Sequence, residues 1–372
     1  MLRFDKESNY KYNLNSFSTW TRFDTVKIHE RKKMKTQRYP SFFLSIVACL
    51  TIIFASAFAL TPAAAQSEEE NKIAQAGQAE KKEEARPIRA FLNINKFYYY
   101  EGDPVEVEIM LGNKSKETMK NPIEAPFSKW YLLKDEKGNE IKAAASPDDA
   151  GEQHASILKP SFFYGIMLDL TKNFPVLKKA GHYTLSWGSG DIRSNEVLIS
   201  VIKKYDPEKD YYAIVETEFG NFRLDFFKND APLAVKAFID FANAGFYNGM
   251  IFYQAKPADF VAAGDPKGDG SGTSGFPFPA EYNTIPIVTG TVMMSQHLSA
   301  PPRNDGKFLI TLKSHPEKTG FMTVFAQVTD NLDIVKKMST VPTTELVQEP
   351  FFKPLKDVEI KKITVFEKEQ KK

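Results

Sequence analysis

Residues 251–275 read IFYQAKPADFVAAGDPKGDGSGTSG, an aromatic-edged strand, a short apolar patch and a loop crowded with glycine. Three chemistries compete for such a loop: a catalytic rim, a phosphate cradle or a cation site. Gly270-Ser271-Gly272-Thr273-Ser274-Gly275 fits G-x-G-x-x-G, but the dinucleotide fingerprint opens a helix, and Phe276-Pro277-Phe278-Pro279 follows here. Asp265, Asp269 and Gly270 are spaced like part of a calcium loop. Lys267 then takes the third position and Phe276 the twelfth, where an EF-hand needs an oxygen ligand and a glutamate. Phosphate and calcium are both rejected, and the flanking chain must decide.

Upstream, AIVETEFGNFRLDFF is read as two strands joined at Phe219-Gly220-Asn221, residues that tolerate the positive φ of a tight hairpin. A helix follows, with Asp230 as its cap, Pro232 in its first turn, Val235, Phe238, Ile239 and Ala242 at helical spacing, and Gly245 ending it. The run from Gly220 to Gly275 resembles the cyclophilin-type peptidyl-prolyl isomerases, whose pattern is a glycine, a strand, acidic-Ala-Pro, a helix with Val and Phe, Gly-Phe-Tyr and a Phe-His-Arg strand. The resemblance continues in the same order through Pro279-Ala280-Glu281, Gly290 to Met294, Lys307 to Thr311 and Val324 to Val328. It implies a closed, eight-stranded β-barrel over residues 210–367, capped by two helices, the second at Leu332 to Met338, with a proline-binding groove on the outer face.

Rotation about an X-Pro bond faces a barrier of about 18–20 kcal/mol because the amide loses its resonance. Lowering it takes an apolar pocket for the ring and a donor aimed at the proline nitrogen, with no nucleophile, metal or cofactor. In the resembled family that donor is an arginine. Aligned without gaps from Phe252 to Asp265, this chain has Tyr253 at the family's histidine and Gln254 at the catalytic arginine. Glutamine keeps two N–H donors and loses the charge and the fork, and charge-assisted hydrogen bonds are roughly twice as strong as neutral ones. Attenuated activity is the expectation, with Gln254 as catalytic residue or, alternatively, as a strand residue with no chemical task.

The other departures are Asp259 at a pocket phenylalanine, Phe260 at a methionine, Ala262 at a glutamine and Lys307 at another glutamine. A carboxylate at the rim of an apolar pocket weakens proline binding unless Lys307 or a neighbour pairs with it. The substrate-binding set implied by the resemblance is Phe252, Phe260, Gln296, Leu309 and Met322, with Phe260, Leu309 and Met322 as apolar floor; plain barrel core is the competing assignment for Phe260 and Leu309. Arg303, in a segment slightly longer than the family's, is a candidate replacement for the lost charge. The five histidines, His29, His154, His182, His297 and His315, show no metal spacing and are read as solvated or capping.

Residues 88–204 are a second unit. Val105, Val107 and Ile109 alternate with Glu106 and Glu108, and WYLLKDEKGNEIKA, FFYGIMLDL, GHYTLSWGS and SNEVLISVI follow, separated by turn residues. Short alternating strands without a helix imply an antiparallel β-sandwich, and the pattern resembles bacterial immunoglobulin-like modules. The fold class is therefore mainly β, a sandwich followed by a barrel.

In front, Ser41 to Leu60 is an uncharged apolar run long enough to cross a bilayer, with basic residues upstream. A signal peptide cleaved after Ala63-Ala64-Ala65 is the preferred reading of residues 1–65, and an uncleaved anchor is the alternative. Met34 begins a more compact basic lead than Met1. Cys49, the single cysteine, lies inside the run, so cleavage leaves no thiol for a disulfide. Residues 66–87 are a polar, charge-mixed linker. Residues 1–65 hold ten basic and four acidic residues, so a net charge of +2 overall leaves about −4 beyond them, which asks for no nucleic acid. The expectation is an exported, periplasmic or extracellular isomerase for X-Pro polypeptides, possessing no cofactor; the alternative is a non-catalytic proline-peptide chaperone or envelope scaffold. A partner for the sandwich stays unassigned.

Overall fold

The computed structural model describes residues 12–13, 87–122, 127–145, 157–297, 301–344 and 352–369. The apolar run 41–60, the cleavage site, both start positions and linker residues 66–86 lie outside the described residues.

Two core clusters organise the chain. In the first unit, one antiparallel sheet orders Phe162–Asp169, Glu106–Asn113 and Ile88–Asn93, with Tyr12–Asn13 added at the edge of Phe162–Asp169. The other runs Tyr99–Tyr100, Val197–Ile202, Gly181–Ser189, Tyr131–Asp135 and Glu140–Ile141. Val107, Ile109 and Leu111 from the one and Leu133, Leu185, Trp187, Ile199 and Val201 from the other share a single buried cluster. The two-residue period therefore turns one face of each sheet to a common interior. Helical structure among the described residues of this unit is limited to short 3-10 turns.

The second unit is one curled sheet whose path is Gln254–Lys256, Phe260–Ala263, Arg303–Thr311, Thr291–His297, Val324–Asp330, Gly220–Phe226, Tyr211–Thr217 and Ile360–Glu367. Its two ends meet: Ile251 bridges Glu359, and Phe252 N–H donates to Val358 O at 2.8 Å. The interior is filled by both sheet and helices, α1 (Pro232–Asn243) giving Val235, Phe238 and Ile239, and α2 (Leu332–Ser339) giving Val335 and Met338. Phe238 is fully buried with ring centroids of Tyr247, Phe308 and Phe325 at 5.1, 5.5 and 5.2 Å. Fully burying a side chain of this size contributes about 1.5–3 kcal/mol.

Two local expectations are corrected. The helix cap is Ala231, which has no capping side chain, rather than Asp230; the Glu281 carboxylate instead accepts the N–H groups of Leu233 and Ala234 at 3.0 and 2.8 Å. A carboxylate from 48 residues downstream thus satisfies the exposed donors and the positive end of the helix dipole. The hairpin turns at Glu218-Phe219, because Thr217 pairs with Gly220. Gly220 has φ +125°, and a Cβ there would sit 2.9 Å from Ile334 Cδ1, so glycine lets the strand start against α2.

The units are joined by a polar cluster on α1. Asp240 is fully buried, its Oδ2 accepting from Tyr98 OH at 3.1 Å and Tyr100 OH at 2.7 Å and pairing with Lys236, which also donates to Tyr100 OH at 2.6 Å. Burial, then the Asp240 charge, pushes the Tyr98 hydroxyl far up; burial and the Asp240 hydrogen bond do the same for Tyr100, so both stay donors. Phe97 adds edge contacts to Phe241 and Phe246 at 6.3 and 5.2 Å, and Ser200 donates to Ala244 O at 3.0 Å. A hydrogen bond to a charged group contributes about 1.5–3 kcal/mol. The expected outcome is that the chain unfolds in one transition and that Tyr100→Phe lowers its stability by about 1–2 kcal/mol; a urea transition seen by fluorescence of Trp130 and Trp187, both in the first unit, that does not coincide with the one seen by far-ultraviolet circular dichroism of the whole chain would contradict this coupling.

Candidate active site

Register builds a groove on the outer face of the second sheet. Gln254 faces Ala262, Ala262 faces Leu309, Leu309 faces Met293, and Met293 faces Val324. Because successive side chains alternate faces, Ala255, Val261, Ala263, Phe308, Ile310, Val292 and Met294 enter the inner core. Their neighbours Gln254, Phe260, Ala262, Leu309, Thr311, Met293 and Ser295 line a groove of about 230 Å³ with Tyr253, His315, Lys318 and Met322. Its floor is a small apolar cluster apart from the main core, in which Leu309 and Met322 pack on buried Ile287, Met293 and Val324.

Of the residues singled out from sequence, Gln254, Phe260, Leu309 and Met322 are brought together in this groove. Phe252 is not: it is 1% exposed and belongs to the inner core, because its N–H is tied to Val358 and the chain joins the sheet ladder only at Gln254. Gln296 lies off the lining; its Nε2 donates to Phe321 O at 3.0 Å, so it supports the segment that presents Met322. Arg303 is exposed and six positions along its strand from Leu309. That separation is roughly 20 Å at strand spacing, too far for its guanidinium to replace an arginine at position 254.

Sequence reasoning missed Met293, Ser295, Thr311, Tyr253, His315 and Lys318 as lining. Met293 and Ser295 were legible, since they alternate with the apolar Val292 and Met294. His315 and Lys318 were not, because a short 3-10 turn, Pro316–Lys318, places them and carries no periodic signal.

Asp259 is neutralised, though not by Lys307. Its carboxylate pairs with Lys256 at 2.8 Å, Lys313 at 3.0 Å and His315 Nε2 at 3.2 Å. Burial pushes the Asp259 carboxyl up, and the hydrogen bonds and charges of Lys256 and Lys313 overcome this, holding it at about 2. Lys307 cannot reach it: Phe260 pairs with Thr311, so Asp259 adjoins the far end of that strand. Lys307 is itself buried and donates to Gly270 O at 3.1 Å and Gly272 O at 2.8 Å, 3.7 Å from the Asp305 carboxylate.

The glycine-rich loop is therefore a braced rim. The buried Asp265 carboxylate accepts the N–H groups of Lys267 at 3.2 Å and Asp269 at 3.0 Å, and that of Gly270. A Cβ on Gly272 would lie 1.9 Å from Asp265 Oδ1, which explains glycine there. Tyr253, 6% exposed and hydrogen-bonded to Ser295, has its hydroxyl pushed up to about 12 by burial and by Asp265, and remains protonated at the groove wall. Among the described residues no group of three or more His, Cys, Asp or Glu is disposed to hold a metal ion.

The second unit is similar to known proteins. Residues 212–365 match the model of the family described as cyclophilin type peptidyl-prolyl cis-trans isomerase/CLD. A peptidyl-prolyl cis-trans isomerase of Synechococcus elongatus is 37% identical over 130 residues, 34% of this chain and 87% of the relative. A peptidyl-prolyl cis-trans isomerase-like 1 of Emericella nidulans is 32% identical over 155 residues, 41% of this chain and 93% of the relative. Among solved structures, a Cryptosporidium parvum cyclophilin-type peptidyl-prolyl cis-trans isomerase, crystallised in the presence of the dipeptide Ala-Pro, gives a TM-score of 0.39 at 24% identity over 42% of this chain and 98% of that one. The chain belongs to the cyclophilin-type peptidyl-prolyl cis-trans isomerase family.

The rim charge has a pH signature. The Asp259 carboxyl is depressed in the folded chain, so its contribution is complete above about pH 4, the unfolded value, and is lost as pH falls toward 2. The expected result is that Asp259→Asn costs about 1 kcal/mol at pH 6 and that the difference from the unmodified chain shrinks between pH 4 and pH 2, read from urea unfolding at each pH. A difference independent of pH over that window would remove the ion pairs as its cause.

Proposed function

We propose that the C-terminal domain, residues 210–367, is a slowed cyclophilin-type prolyl isomerase that binds X-Pro segments in the groove around Gln254. The single observation carrying this is the alignment of Gln254, Ala262, Leu309 and Met293 across adjacent strands, which puts one side-chain amide donor beside an apolar floor of Leu309, Met293 and Met322. The floor takes the pyrrolidine ring. The Gln254 amide donates toward the proline nitrogen as its lone pair localises, and the protonated Tyr253 keeps the wall polar. No bond is made or broken besides the rotation, so a neutral donor lowers the barrier less than a guanidinium without abolishing the route.

In this reading the second unit is a closed β-barrel, the meeting of Ile251 with Glu359 supporting closure. The first unit, residues 88–204, is an immunoglobulin-like β-sandwich that presents the barrel and docks a partner of its own. The apolar run 41–60 and the linker 66–87 support an exported protein, released after Ala65 or anchored outside the cytoplasm, assisting the folding of extracytoplasmic polypeptides.

A proline-peptide isomerisation assay tests the reading. Turnover above the uncatalysed rate, removed by Gln254→Ala and raised at least about tenfold in kcat/KM by Gln254→Arg, is the expected outcome. Peptide binding with no turnover in either form identifies a holding chaperone instead, and a Gln254→Arg protein no faster than the unmodified one shows that the site is misplaced.

A further inference from the structure

The charged groups of the groove are unevenly committed. Its titratable lining consists of Tyr253, His315 and Lys318, with no carboxylate among them. Asp259, just behind the lining, is engaged by Lys256, Lys313 and His315. Glu317 is engaged by His315 Nδ1 at 3.0 Å. Lys318 differs: its ammonium has no hydrogen bond or salt bridge among the described residues, and it only adds, behind His315, to the positive charge that holds the Glu317 carboxyl low. Its backbone is nonetheless fixed, since Lys318 N–H donates to His315 O at 3.0 Å and Phe321 N–H to Lys318 O at 3.1 Å. An exposed cation is thus held at the groove by a hydrogen-bonded turn, without an ion pair of its own among the described residues.

We propose that Lys318 is a specificity residue that reads an acidic side chain beside the substrate's proline, so the groove prefers segments with Asp or Glu adjoining the proline. The proposal deepens the isomerase reading above and rests on it. With the ring seated on Leu309 and Met322, the adjoining residue lies one Cα spacing, about 3.8 Å, away, within the sweep of a lysine stem lining the same groove. Lysine suits the task as a compact, rotatable point charge that accepts a carboxylate without demanding a fork geometry. Lys256 and Lys313 are spent on Asp259 and Lys307 lies against Asp305, whereas Lys318 makes no ion pair among the described residues, so it is the cation left to act on a bound segment. A basic residue beside the proline meets this field unfavourably, giving selection by repulsion as well as attraction.

The test uses the full chain and dye-labelled peptides Ala-Glu-Pro-Phe, Ala-Ala-Pro-Phe, Ala-Lys-Pro-Phe and Ala-Ala-Pro-Glu, with affinities from fluorescence anisotropy and turnover from the isomerisation assay. At low salt the acidic peptide that places its carboxylate nearest Lys318 binds about three- to fivefold tighter than Ala-Ala-Pro-Phe, as expected for a partly exposed ion pair, and the lysine peptide binds weakest. The preference fades at about 0.5 M salt, Lys318→Gln brings all four within about twofold, and Lys318→Glu inverts the order in favour of the lysine peptide. Equal affinities in the unmodified chain, or a preference that survives Lys318→Gln, overturn the selectivity while leaving isomerisation intact. Failure of every peptide to bind overturns both this proposal and the isomerase reading.

Discussion

The antiparallel register running from Gln254 through Ala262, Leu309 and Met293 to Val324 is the constraint on which the rest of the second unit depends. A slip of one residue in any of these strands would exchange inner and outer faces. Phe308 and Ile310 would leave the packed interior while Leu309 entered it, so the core enforces the groove. The site thus needs little stabilisation of its own: the register that buries Val261, Phe308 and Ile310 also places Gln254 beside the floor.

Polar braces refine what the register sets. Lys307 and Asp265 hold the glycine-rich rim from two sides, one through carbonyls and the other through amides. Asp259 and His315 hold the opposite wall, Asp259 through ion pairs with Lys256 and Lys313 and His315 through contacts with the Asp259 and Glu317 carboxylates. These buried charges, Asp259, Asp265 and Lys307, each have near partners, as the cost of desolvation requires. The Gln254 side chain that lines the groove is a neutral amide, a weaker donor than the charged groups bracing the walls around it.

Much of this was legible in the amino-acid order. The run from Phe252 to Asp265 aligns without a gap, so Gln254 could be placed from its neighbours, and the 2- and 3.6-residue periods marked the strands and α1. What escaped shares one physical cause, dependence on pairing between distant segments. Glu281 caps a helix 48 residues upstream, and the choice between Lys307 and Lys313 as partner of Asp259 turns on Phe260 facing Thr311. Phe252 packs in the inner core because the two-residue period begins at Gln254 and not before it. His315 and Lys318 sit in a turn whose side-chain directions follow no period.

The central claim is that X-Pro rotation occurs at the Gln254 groove. It is tested most directly by NMR of the labelled full chain with a peptide whose cis and trans forms give separate signals. Exchange between the two peptide signals faster than in buffer, together with shifts concentrated at Gln254, Leu309, Lys318 and Met322, is the result predicted. Exchange at the uncatalysed rate, or shifts gathered around Tyr98, Ser200 and Asp240 at the junction of the two units, would contradict it.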